Sequence, residues 1–192
     1  GVANKSALLT ARKRIAKTLN CANPQNIYFT SGGTESDNWA IIGTAEQCKK
    51  NGNHIITSSV EHAAVSNSVR ALEDLGFRVT VLPVDKNGQV DPDDLKAALD
   101  KETILVSIMG VNNEIGTIQP IKEISKVLED YPNVTFHVDN VQALGKDIWD
   151  EVFTNRVDLM SLSAHKFHAP RGVGILYKKE GKMIKPLIDG GG

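Results

Sequence analysis

The chain has 192 residues, with 22 lysines and arginines against 23 aspartates and glutamates and a formal net charge of −1. That length carries one sizeable domain with a full core, and the near-neutral balance offers no global charge for nucleic acid or an anionic membrane surface. Two cysteines, Cys21 and Cys48, are too few for a disulfide framework, lack metal-ligand spacing and suit a reducing compartment, and no apolar run reaches the length of a membrane span.

Residues 6–19 read as an amphipathic helix. The acid-free start of the chain, whose first acidic residue is Glu35, could mimic a transit peptide. Leu8, Ile15 and Leu19 instead line one face at helical spacing, as in a surface helix. Asn23-Pro24 ends it. Ile27 to Thr30 reads as a strand and residues 37–50 as a helix, with Ser31-Gly32-Gly33-Thr34-Glu35-Ser36 between them. A glycine pair between strand and helix lets backbone N–H groups approach an anion, and the helix N-terminus adds favourable partial charge. The third glycine of a dinucleotide fingerprint and the Gly-Lys-Ser/Thr of a Walker loop are absent.

His54 to Thr57 is the next predicted strand. Glu61-His62 opens a helix to about Leu75, and residues 78–82 form another strand. Asp91-Pro92 starts a helix through Leu99 with proline at its first position. Thr103 to Met109 is nearly all apolar, as in a strand covered on both faces. A helix over 121–128 and a strand over 134–139 follow, the latter ending in a carboxylate. Val157 to Met160 then delivers Ser161 to Gly172, and Gly174 to Tyr177 carries the chain away. Strands alternating with helices predict an α/β fold, a mostly parallel sheet sandwiched between helices. In such sheets ligands bind beyond the carboxyl ends of the strands. Ser31–Thr34, His62, Asn113, Asp139 and Lys166 all fall just after a predicted strand.

Lys166 is flanked by Ser163 and His165. An arbitrary lysine at a strand end is merely a surface lysine. One partly desolvated beyond a buried strand should lose its proton more easily, and a neutral amine attacks aldehydes and ketones. An anion cradle, a histidine, an amide, a strand-end carboxylate and such a lysine are the groups that pyridoxal phosphate needs for its phosphate, ring and aldehyde.

The motifs Phe29-Thr30-Ser31-Gly32-Gly33-Thr34-Glu35-Ser36-Asp37-Asn38, Glu61-His62, Val111-Asn112-Asn113-Glu114-Ile115-Gly116, His137-Val138-Asp139, Gln142 and Ser163-Ala164-His165-Lys166 occur in one order along nearly the whole chain. In these it resembles the large domain of class V, fold type I, pyridoxal-phosphate enzymes, and among them the cysteine desulfurases of the NifS/IscS kind. The resemblance implies that residues 1–192 are a partial large domain, with the small C-terminal domain and the extreme N-terminus lying elsewhere. The start at Gly1 and the run Gly190–Gly192 read as cuts from a longer chain.

It implies roles as well. Lys166 binds the cofactor aldehyde and moves the substrate's alpha proton, and Asp139 pairs with the ring nitrogen. His62 stacks on the ring and assists proton transfer. Asn113 and Gln142 contact the ring hydroxyl region, and Ser163 and His165 join Gly33 and Thr34 around the phosphate. His54, His137 and His168 are read as structural. The family's Ala after the strand-end Asp and Gly before Pro are replaced by Asn140 and Ala169, and both changes are expected to alter cofactor fit.

The implied activity converts L-cysteine to L-alanine and an enzyme persulfide for iron–sulfur cluster or thio-cofactor assembly. The setting is a cytoplasmic homodimer with a sulfur-acceptor protein. No membrane partner is implied, and no nucleic acid beyond an indirect role in tRNA thiolation. The sulfur-accepting cysteine and the arginine for the substrate carboxylate lie beyond Gly192 in the resemblance, so neither Cys21 nor Cys48 is assigned that role, and desulfuration by this chain alone is not expected. A selenocysteine lyase, kynureninase or aminotransferase on the same scaffold is the alternative, and a non-catalytic remnant acting by dimerisation or partner binding is the reading from another class.

Overall fold

The computed structural model describes residues 2–188 and 190. Seven strands, β1 (Ile27–Thr30), β2 (His54–Ser58), β3 (Arg78–Leu82), β4 (Thr103–Ser107), β5 (Thr135–Asp139), β6 (Leu159–Ser163) and β7 (Gly174–Lys178), form one sheet in the order β1-β7-β6-β5-β4-β2-β3. From β6 to β3 every pairing is parallel. β7 is antiparallel to both β6 and β1. The helices are α1 (Val2–Thr18), α2 (Gly33–Cys48), α3 (Ala63–Asp74), α4 (Pro92–Ala98), α5 (Ile121–Glu129) and α6 (Trp149–Val152).

The four central strands β2, β4, β5 and β6 are buried along their whole length, because helices cover both faces. Strand alternation then divides the polar from the apolar. On β5, Phe136 and Val138 enter the larger core with Leu95, Ile121, Ile124 and Leu128. His137 and Asp139 must therefore face the opposite side, where His137 meets Asp37 of α2. On that side Ile41 and Ala45 of α2 pack with Ile55, Val65, Val69, Leu72 and Leu105.

Several boundaries differ from the predicted ones. α2 begins at Gly33, four residues before the predicted start, so the glycine pair supplies its N-cap and first residue rather than a loop. β6 runs over Leu159–Ser163, later than 157–160, so Ser161 and Ser163 belong to the strand itself. β4 stops at Ser107, although Ile108 and Met109 stay buried. The short α6 carries too few residues for a periodic signal. In α1 the expected apolar face is only half realised: Leu19, just past the helix, is fully buried, whereas Leu8 is 51% exposed. Gly1 and the glycines at 191–192, read above as cut ends, lie outside the described residues.

Candidate active site

A cavity of about 280 Å³ opens beyond the carboxyl ends of the strands. Gly33 and Thr34 reach it from the start of α2, and His62 from the start of α3. Asn113 comes from the loop after β4, Asp139 and Gln142 from the end of β5, and Ser163, His165 and Lys166 from the end of β6. All nine residues singled out in the sequence line this one space.

Each is placed by local chemistry. The N-cap of α2 is Gly32, in extended backbone and with no side chain to cap the helix, so the first amides of α2 are open towards the cavity. Glu35 turns back to accept from Ser31 N at 2.7 Å and from the Ser31 hydroxyl, which holds its carboxyl below the usual range and ties the preceding turn. A Cβ on Gly33 would lie 2.7 Å from Val141 Cγ2 and 3.4 Å from Ser163 Cβ, so only glycine lets the helix start press this closely on β5 and β6.

His62 is the N-cap of α3: its Nδ1 accepts from Ala64 N at 3.1 Å. The capping bond fixes the ring with Nδ1 as acceptor, which leaves Nε2 to carry the proton in the neutral form. Asn112 is buried, and its Oδ1 accepts from Glu114 N and Ile115 N at 2.9 and 3.0 Å while Nδ2 donates to Val60 O at 3.1 Å. That turn presents the exposed Asn113. Ser163 Oγ and His165 Nδ1 lie 2.9 Å apart, joining the two groups assigned to one anion. Lys166 lies on a 3₁₀ turn over Ala164–Phe167, which His168 closes in left-handed backbone, φ 66°.

The floor of the cavity is acidic. Asp139 is 5% exposed, and its Oδ1 accepts from Val141 N at 3.0 Å; burial raises its carboxyl above the ordinary range. Asp37 also lines the cavity, 1% exposed, with Oδ1 buried and unpartnered. Burial first, and then the charge of Asp139, push it well above the usual range. Behind them His137 is fully buried, with Nδ1 2.8 Å from Ser107 Oγ and Nε2 2.9 Å from Ser161 Oγ. Burial pushes it down to about 3, so it stays neutral. Nearby, Glu61 accepts from Ser58 Oγ at 2.5 Å and Met109 N at 2.9 Å, and burial pushes it up to about 8.

Three expectations need correcting. Lys166 is exposed at the cavity edge, so the desolvation expected beyond a buried strand is absent; the chain leaves β6 on a surface turn after Ser163. Asn140 does not face the cavity. It is fully buried, with Nδ2 donating to Val152 O at 2.9 Å, and strand alternation brings Val141 to the cavity instead. Ala169 does not need glycine, because the left-handed residue of that turn is His168, and Ala169 N donates to Ala164 O at 3.1 Å. The sequence reading also missed Asp37 and Val141. Asp37 sits one helical turn after Gly33, and that spacing was the available signal.

Cys21 and Cys48 are free and lie outside the cavity lining. Among the described residues, no cluster of three or more His, Cys, Asp or Glu is placed to hold a metal ion, and no helix is long and apolar enough to cross a membrane.

The sequence matches the aminotransferase class-V family over residues 2–192. It is 70% identical over 185 residues to a "NifS/IcsS protein homolog" of Lactobacillus delbrueckii subsp. bulgaricus, covering 96% of this chain and 48% of that protein. It is 53% identical over 189 residues to the "Cysteine desulfurase IscS" of Clostridium botulinum, covering 98% of this chain and 47% of that protein. Among solved structures a "NIFS-LIKE PROTEIN" superposes with a TM-score of 0.92 at 42% identity, over 100% of this chain and 52% of that one. The chain thus spans about half the length of the curated relatives it matches.

Proposed function

The chain belongs to the aminotransferase class-V family, whose fold is that of pyridoxal-phosphate enzymes, and from that premise we propose that residues 1–192 are the cofactor-binding large domain of a cysteine desulfurase. The observation that carries the reading is the convergence of one lysine, one open helix start and one buried strand-end carboxylate on a single cavity.

The residues present fit pyridoxal phosphate. An uncapped helix start closed in by Gly33 leaves backbone donors for a phosphate. A buried carboxylate with a single backbone partner on Oδ1 suits a cationic ring nitrogen. When bound, the cofactor supplies an aldehyde for an amine and a ring that accepts the electron pair released at the substrate's alpha carbon. Gly33 and Thr34 would hold the phosphate through backbone N–H groups, aided by Ser163 and His165. Asp139 would keep the ring nitrogen protonated. His62 and Val141 would bound the ring, and Asn113 and Gln142 would meet its hydroxyl. Lys166 Nζ would bind the aldehyde and then carry the alpha proton; its exposed position gives it room to swing.

For the whole protein we propose conversion of L-cysteine to L-alanine, with the sulfur passing to an enzyme thiol and on to an acceptor protein. The exposed Leu8, Leu9, Met183, Leu187 and Ile188 favour a partner surface such as a second subunit, and the two free cysteines suit a reducing cytoplasm. Borohydride reduction of the chain loaded with pyridoxal phosphate, followed by peptide mapping, tests the core of the reading. The label should fall on Lys166; a label on Lys146 or Lys178 would overturn it.

A further inference from the structure

Two buried acids share the cavity floor, and the reaction described above uses only one. Asp37 and Asp139 both line the cavity and are 1% and 5% exposed. Among the described residues no lysine or arginine comes within 4 Å of either carboxyl, and the ion-pair contacts contain only His137 Nε2, 3.6 Å from Asp37 Oδ1. That histidine cannot serve as a cation. It is fully buried between the hydroxyls of Ser107 and Ser161, and burial keeps it neutral. The other groups facing Asp37 add no fixed positive charge beside it. Glu61, beyond β2, is a third acid whose charge acts on it, and His62, His165 and Lys166 stand around the cavity without an ion pair to it. Two carboxylates buried together without a counter-ion cannot both stay charged, because desolvation and mutual repulsion act in the same direction.

We propose that Asp37 is a positioning residue acting through Asp139: the two carboxyl groups form an electrostatically coupled pair on the cavity floor, in which Asp37 holds the proton and Asp139 carries the charge presented to a ligand cation. The unpartnered Oδ1 of Asp37 leaves room for that proton. Asp139 Oδ1 is committed to Val141 N and so favours the charged form. The upward displacement of both carboxyls, larger at Asp37, agrees with this division. The pair exists whatever the ligand; only its effect on a ring nitrogen rests on the pyridoxal-phosphate reading.

The test is a carbon-13 titration of the aspartate carboxyls in the ligand-free chain. In the wild type the two signals should titrate in two steps at least about one pH unit apart, as strongly coupled groups do, with the upper step on Asp37. In Asp139→Asn the Asp37 midpoint should fall by at least about one unit, because its charged neighbour is gone. In Asp37→Asn the upper step should vanish. Both carboxyls ionising together below pH 5 in the wild type, a measurement that needs no variant to fold, would overturn the pair. So would an Asp37 midpoint unmoved by Asp139→Asn. A second arm follows the pH midpoint of the visible absorbance after loading with pyridoxal phosphate. Because Asn mimics a neutral, protonated Asp37, the midpoint in Asp37→Asn should stay within about half a unit of the wild type below the upper step, and a shift of about one unit or more would show Asp37 charged there and refute the division. A chain with the coupled titration but no band upon loading keeps the pair and removes the cofactor reading.

Discussion

Strands β5 and β6 have a buried carboxyl group at each end, and the two ends are built in opposite ways. Asp158, just before β6, is 2% exposed and is held by two cations and a backbone amide, all on Oδ2. Its Oδ2 accepts from Phe136 N at 2.9 Å and lies 2.6 Å from Arg156 Nη1 and 3.2 Å from Lys182 Nζ. Arg156 spends its other donors on Leu128 O, Tyr131 O and Val134 O. At the far end Asp37 and Asp139 are about as deeply buried, and among the described residues neither has a lysine or arginine within 4 Å; only the more distant His62 acts favourably on Asp139. A buried charge that is neutralised and hydrogen-bonded within the protein belongs to the scaffold. One left without a counter-ion is unfavourable until something binds, and such groups cluster at functional sites.

The largest effect should come from breaking the closed end. Arg156→Ala leaves the buried Asp158 carboxylate with only Lys182 and the Phe136 amide and frees three carbonyls, so unfolding in urea should show a loss of about 3 kcal/mol. A loss below about 1 kcal/mol would mean that the two ends do not differ as described. At the cavity end the order reverses. Asp139→Asn should leave stability within about 1 kcal/mol, since it removes a buried charge with no counter-ion. In the complete, cofactor-loaded protein it should retain pyridoxal phosphate yet slow exchange of the substrate's alpha proton by roughly 100-fold, the scale of a removed electrostatic group. Unchanged exchange in deuterated water would reduce Asp139 to a structural cap.

The acidic end also sets the pH dependence. Glu61 is raised to about 8 when folded, from 4.5. Its contribution is therefore complete below its unfolded value and is lost as pH rises towards 8. His137 is depressed from 6.5 to about 3, so its contribution is complete above 6.5 and is lost as pH falls towards 3. The two oppose each other between 4.5 and 6.5. Above 6.5 the Glu61 effect stands unopposed by His137, and stability should fall by up to about 1.4 kcal/mol per pH unit from this one carboxyl. Glu61→Gln should flatten denaturation midpoints between pH 6.5 and 8; an unaltered slope would show that Glu61 does not titrate in that window. The smallest effect is expected at the outer edge of the sheet, where Arg78 and Asp100 form a 2.6 Å pair with side chains 46% and 42% exposed. Arg78→Ala should cost about 0.5 kcal/mol or less, and less still in high salt. A larger loss would show that exposure is not what separates this pair from Arg156–Asp158.

Much of the site was legible because each residue follows a strand. Gly33, His62, Asn113, Asp139 and Lys166 stand at strand ends, and in a parallel sheet those ends share one edge. Asp37 was not legible in that way. It is a helical residue whose one local signal is its one-turn spacing from Gly33, and that spacing gains meaning only once the start of α2 is known to face the cavity. Asn140 and Val141 were exchanged for a related reason: which of two successive residues faces a cavity depends on where β5 stops alternating.

Local sequence determined the apolar run of β4, the glycine pair at the start of α2, the Asp91-Pro92 helix start and the alternation that puts His137 and Asp139 on one face. These depend on neighbouring residues and on backbone preferences that act over a few positions. Only the tertiary structure decided that Asp37 shares a cavity with Asp139 across 102 positions of sequence (139 − 37), that Arg156 closes on Asp158 and three carbonyls, and that Lys166 stays exposed. Burial and the sign of the nearest charge are properties of the packed interior, and they set the ionisation of a carboxyl more strongly than anything adjacent in the chain.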